Sequence, residues 1–200
     1  MLLTIQLRNN SFSTIKQTVI SSPSKTNPMK ILFTLLLFGL SITSNSQNLT
    51  VEEILSLRKK DIANVEEHLT AKGWMFLSSE EGKDGDLNYA DFAYNKSTYN
   101  DNADSFLSYF YSETSVITRI KIQIHSPAKY NAYLARIKSF GCKLIDSNVS
   151  ESLIEKVYQG ATTTFRITIE TKKSEYESSS YTSYRILIMA NSDYELSYAG

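Results

Sequence analysis

Arg119-Ile120-Lys121-Ile122-Gln123-Ile124-His125 is the stretch whose reading decides the fold. Isoleucine alternates with charged or polar residues over its whole length. That period of two predicts a half-buried strand, with Ile120, Ile122 and Ile124 facing inward and Arg119, Lys121 and Gln123 facing outward. Ser126-Pro127 follows at once and reads as a helix start, because proline at the first helical position loses no hydrogen bond. Tyr130, Leu134 and Ile137 mark one face of that helix, and Gly141 marks its stop. Cys142-Lys143-Leu144-Ile145 then opens a new strand.

Working outward, the same succession appears twice. Gly73-Trp74-Met75-Phe76-Leu77 lines up with Gly141-Cys142-Lys143-Leu144-Ile145, which also brings Leu69 over Ile137. Arg119-Ile120-Lys121-Ile122 then falls near Arg185-Ile186-Leu187-Ile188, two residues out of step. This spacing predicts an internal duplication of a helix-then-four-strands unit. In the first unit, Thr50 and Glu53 form a capping box for a short helix through Leu57. Asp61 caps a second helix with Ile62, Val65 and Leu69 along one face, and Gly73 ends it. Strands are expected over 74–78, 89–94, 105–111 and 116–124. The second unit has a helix over 127–140 and strands over 143–146, 154–158, 163–171 and 184–190, with a loosely attached tail over 191–200. Only short connections separate the strands. The expectation is therefore α+β: two tandem units, 47–125 and 126–200, in one domain with a mainly antiparallel sheet. The helices would lie on one face, with a polar face left to solvent.

The first 46 residues read differently. Lys30 precedes an apolar run from Ile31 to Thr43, followed by Ser44-Asn45-Ser46-Gln47. A positive end, a short apolar run and small residues at the cleavage positions describe a signal peptide over 29–46. The run is shorter than the ~20 residues that span a bilayer. Residues 1–28 are acid-free and rich in Ser, Thr and Asn; they read as an upstream extension before a start at Met29, or else as a long basic leader. Four of the 21 basic residues precede residue 47 and none of the 21 acids do, so 17 bases face 21 acids after cleavage, a net charge of −4. A mildly acidic domain lacks the basic footprint of a nucleic-acid binder and the basic cluster that anionic lipid attracts. The expected location is outside the cytoplasm, periplasmic or secreted, with no stable membrane insertion after cleavage.

Two resemblances rest on these residues. Leu69-…-Gly73-Trp74, Asp104-Ser105-Phe106-Leu107-Ser108, and Tyr130-…-Ile137-…-Gly141 through Ser147 resemble a group of small uncharacterised exported bacterial proteins, which implies export but no activity. The tandem helix-plus-four-strand layout is similar to the beta-lactamase inhibitor protein fold in order and size. The paired cysteines common in that family are absent, and no inhibitor residue carries over.

Thirteen tyrosines, all after residue 46, are the outstanding compositional feature. Tyrosine gives rigid, amphipathic contact area and suits binding faces; it also simply favours strands. Tyr109, Tyr111, Arg119, Lys121, Tyr181 and Arg185 are the candidate binding residues, on an open sheet face that would take an envelope or extracellular protein or a glycan. Asp84, Asp86, Asn88 and Asp91 offer oxygen ligands at alternate positions and a calcium reading. Against it, an EF-hand loop requires Gly at its sixth position and Glu at its twelfth, where this chain has Tyr89 and Asn95; solvated turns explain the same residues. His68 and His125 lack ligand-spaced partners for zinc. Cys142, the sole cysteine, aligns with Trp74 and is expected in the core. There is no Gly-x-Ser-x-Gly elbow and no Gly-rich phosphate loop. No cofactor and no catalytic residue is expected. The reading is a non-catalytic exported binding module; the alternative is an envelope hydrolase with a site assembled from scattered acids and hydroxyls.

Overall fold

The computed structural model describes residues 49–83, 86–173 and 180–198, all within one compact unit, Ser46–Gly200. The segments expected to be a signal peptide and an upstream extension, together with Asp84 and Tyr176, lie outside the described residues. The chain runs α1 (Val51–Leu57), α2 (Ile62–Ala71), β1 (Trp74–Glu80), β2 (Asn88–Tyr94), β3 (Ser105–Tyr111) and β4 (Thr118–Ile124). It continues α3 (Pro127–Ser139), β5 (Lys143–Val149), β6 (Leu153–Gln159), β7 (Thr163–Lys173), β8 (Ser180–Ala190) and α4 (Asn191–Tyr198).

The helix ends follow the local chemistry. Thr50 accepts from the Glu53 N–H while the Glu53 carboxylate accepts from the Thr50 N–H, closing the capping box of α1. Asp61 caps α2 through the Asn64 N–H, and Ser126 caps α3 with Pro127 behind it. Gly73 and Gly141 follow the C-caps of α2 and α3 with φ of +81° and +79°, the left-handed conformation that glycine adopts without strain.

All eight strands form one antiparallel sheet in the order β1-β2-β3-β4-β8-β7-β6-β5. Each group of four is a meander of hairpins, and the two groups meet where β4 pairs with β8, Ile122 opposite Ile186. The edge strands β1 and β5 each carry an extra residue, Leu77 and Ile145, at the same distance from the preceding left-handed glycine. One continuous core gathers Val51, Ile54 and Leu57 of α1, Val65 and Leu69 of α2, and Tyr130, Tyr133 and Ile137 of α3. They pack on Trp74, Phe92, Leu107, Tyr109, Ile120, Ile122, Tyr158, Phe165, Ile167, Ile186 and Ile188 of the sheet. Each large aliphatic side chain buried this way contributes about 2 kcal/mol.

The tail corrects the sequence expectation. Asn191–Tyr198 is a helix seated on the sheet, not a loose end. Its Tyr194 packs with Val157, Met189 and Leu187 in a second buried cluster. Those strand residues alternate with Tyr158, Ile186 and Ile188 of the main core, so α4 lies on the opposite, outer face. Among the described residues no helix is long and apolar enough to cross a membrane.

Candidate functional site

Pair registers determine which candidate residues share a face. Tyr109 lies opposite Ile120 and Tyr111 opposite Thr118. Opposed residues of an antiparallel pair point to the same side, so both tyrosines belong to the helix side with Ile120. Tyr109 is 1% exposed, and its hydroxyl donates to the Lys60 carbonyl. Tyr111 stacks on it at 5.8 Å and packs against the core. The placement of Tyr109 and Tyr111 on a binding face is therefore corrected: the outward residues of β3 are Phe106, Ser108 and Phe110. Burial lifts the Tyr109 hydroxyl above its ordinary pKa, as expected for a phenol sealed beneath helices.

Arg119 does face outward, but it is occupied. Its Nε and Nη2 donate to the two oxygens of Asp193 at 2.8 and 2.7 Å, and Nη2 also reaches the Ser197 hydroxyl at 2.9 Å. The Tyr198 ring lies against Arg119 and, closer, against Arg166, whose guanidinium carbon is 4.9 Å from the ring centre. Donating these hydrogen bonds to the Asp193 carboxylate raises the Arg119 pKa above its usual value. These contacts make Arg119 an anchor for α4.

Lys121, Arg185 and Tyr181 remain on the outer face. The Lys121 ammonium sits 5.4 Å above the Phe110 ring, and Phe110 meets Tyr89 at 5.9 Å between centroids. Tyr89 donates its hydroxyl to Glu80, which raises the phenol's pKa. Arg185 bonds Glu170 at 2.6 Å, with Lys172 also beside that carboxylate at 3.4 Å. Tyr181 is exposed and meets the His125 ring edge-on at 6.3 Å; His125 in turn lies 3.4 Å from the Gln123 amide. Across β2, β3, β4 and β8 this makes a shallow strip of rings and planar or charged groups: Tyr89, Phe110, Lys121, Gln123, His125 and Tyr181. Such a strip holds a flat partner by ring contact, cation–π attraction and hydrogen bonds at its rim.

Tyr89, Phe110 and His125 were not among the sequence candidates. The β3–β4 pairing would have found Phe110: once Ile120 is inward, its partner Tyr109 must be inward too, and the neighbours of Tyr109 outward.

The calcium reading is dispersed by the strand. Asp91 sits within β2 between Ser78 and Ser108, and the Asn88 side-chain oxygen already accepts from the Gly82 N–H. Among the described residues no group of three His, Cys, Asp or Glu is placed to hold a metal. Cys142 is buried against Gly160, and burial raises its thiol pKa, away from the reactive thiolate.

No protein-family model matches the chain, and neither the curated proteins nor the solved structures provide a match.

Proposed function

We propose that this chain is an exported, non-catalytic binding module that engages an envelope or extracellular protein or a glycan through the outer face of β2, β3, β4 and β8. The observation that carries this reading is the Tyr89–Phe110–Lys121 contact group. Its two aromatic rings and its cation stand on the face opposite the helix-packed core. Export is supported by the leader pattern of residues 29–46. An origin by internal duplication is supported by the symmetric strand order, the paired glycines Gly73 and Gly141, and the matching bulges at Leu77 and Ile145.

The test has two parts. Cell fractionation with N-terminal sequencing should recover the protein outside the cytoplasm, beginning near Gln47; a full-length cytoplasmic product removes the exported half of the proposal. Binding to immobilised glycans and to envelope fractions, with captured species identified by mass spectrometry, should then weaken about tenfold or more in Phe110→Ala and Lys121→Glu, the loss of one desolvated ring or cation–π contact. Ligands retained equally by both variants would place the binding surface elsewhere.

A further inference from the structure

The strand β5 is exposed at every one of its seven positions, although three of them are Leu144, Ile145 and Val149. These side chains are 50%, 49% and 69% exposed, and Phe140, in the turn before the strand, is 39% exposed. β5 is also an outermost strand, with β6 on one side only. An apolar edge of this length, with one row of backbone donors and acceptors free, is a template for another strand.

The charges on β5 indicate which strand fits. Lys143 lies opposite Gln159 and Asp146 opposite Val157, so both stand on the outer face. Among the described residues neither has an ion-pair partner. Two copies of β5 run antiparallel about a two-fold axis, with Leu144 opposite Ile145, bring each lysine opposite an aspartate on the same face. The edge is thus complementary to itself. The other edge is not: β1 exposes Met75, Phe76 and Leu77, but its only charged residue is Glu80.

We propose that β5 is the joint of a homodimer, pairing antiparallel with β5 of a second copy so that Lys143 meets Asp146 of the partner subunit and Asp146 meets Lys143 of the partner subunit. The joint is isologous and therefore closes at two copies. It doubles the eight-stranded sheet and covers the Leu144–Ile145 pair at the axis. In that register Val149 approaches the turn carrying Phe140 of the partner subunit, so the apolar residues at this end of the molecule are covered together. The joint does not use the strip around Phe110, so it stands or falls separately from the proposed ligand-binding face.

Sedimentation equilibrium tests it with the protein and three variants, using circular dichroism to confirm that each is folded. The parent protein should be dimeric at about 100 µM, with K143D and D146K each weakening the dimer about tenfold or more, since two attractive cross-strand pairs become repulsive. The double variant K143D/D146K restores both pairs and should dimerise like the parent. Mixing the two single variants should give a heterodimer, because each copy then supplies the charge the other lacks. Met75→Lys in β1 should leave dimerisation unchanged. A monomeric parent protein, a dimer indifferent to the single reversals, or a failure of the mixture to associate overturns the proposal.

Discussion

The first four strands and the last four use the same scaffold and differ on its outer side. On the helix side the two groups match closely: Ile122 and Ile188 are both buried, and Trp74 and Cys142 both stand at the start of an edge strand inside the core. The contents differ in bulk. Trp74 meets Tyr94 across the β1–β2 pair, whereas Cys142 meets Gly160 near the β5–β6 pair, where a Cβ would come 2.9 Å from the thiol. On the outer side, β7 and β8 are covered by α4, while β2, β3 and β4 carry Tyr89, Phe110 and Lys121. After β4 the chain turns back to the core side as α3; after β8 it turns to the other side as α4. One sheet plan therefore supports an outer face partly covered by a helix in one half and an aromatic strip centred on the other.

The largest effects should come from reversing buried side chains in the two central strands. Ile122→Asp and Ile188→Asp each place an unpaired charge in the core and should cost about 4 kcal/mol or more, enough to unfold the protein. Their outward neighbours should separate the halves. Lys121→Asp should change stability by under about 1 kcal/mol, whereas Leu187→Asp, which opens the cluster under α4, should cost about 2 kcal/mol. Urea denaturation of the four variants measures this. Equal costs for Lys121→Asp and Leu187→Asp would mean that α4 does not seal its face.

The two corresponding arginines give the next contrast. The Arg119–Asp193 side chains are 19% and 6% exposed; those of Arg185 and Glu170 are 35% and 23% exposed. Asp193→Ala should cost about 2–3 kcal/mol by leaving Arg119 without its carboxylate. It should also free α4 for proteolysis. Glu170→Ala should cost under about 1 kcal/mol, because its pair is better solvated. Limited proteolysis and thermal melts of both variants would show the reverse order if α4 were held by Tyr194 alone.

Much of this was legible in the sequence because the signals were local. The Ile alternation of β4, the Ser126-Pro127 start and the two glycine stops each specify their structure within a few residues. The outward face of β3 was not legible, since Ser-Phe-Leu-Ser-Tyr-Phe-Tyr has bulky residues on both sides and no polar alternation to orient it. The helix α4 was hidden for a different reason. Asn-Ser-Asp-Tyr-Glu-Leu-Ser-Tyr has no apolar stripe, and the helix depends on Arg119, 74 positions earlier in the chain.

The smallest contrast lies at the helix starts. The α2 helix begins at Asp61, an acid at the positive end of the helix dipole. The first turn of α3 instead carries Lys129, 5.4 Å above the Tyr133 ring, where burial lowers its pKa to about 8. A base whose folded pKa lies below its unfolded value destabilises the protein while both states are protonated, and this penalty fades as pH rises from about 8 toward about 10.5. Lys129→Met should therefore stabilise by about 1 kcal/mol at pH 7, after allowance for solvent screening, with the gain shrinking above pH 8. A gain independent of pH across pH 7–10.5 would show that packing, not charge, is responsible.

The β4–β8 seam bears on the order of assembly. Every other strand pair in the sheet is a hairpin between neighbours in the chain, and hairpins close in about 1–10 µs. The seam joins Ile124 to Tyr184, with three whole strands and a helix between them. Non-local pairings of this kind must wait for loop closure and set the pace of folding. As the chain emerges from its N-terminal end, β1 to β4 can form a meander early, but β4 remains an open edge, with no strand to accept its outward hydrogen bonds, until β8 arrives. For that interval a strand carrying Ile120, Ile122 and Ile124 is an open edge exposed to other nascent copies, and the speed with which β8 docks decides between folding and aggregation.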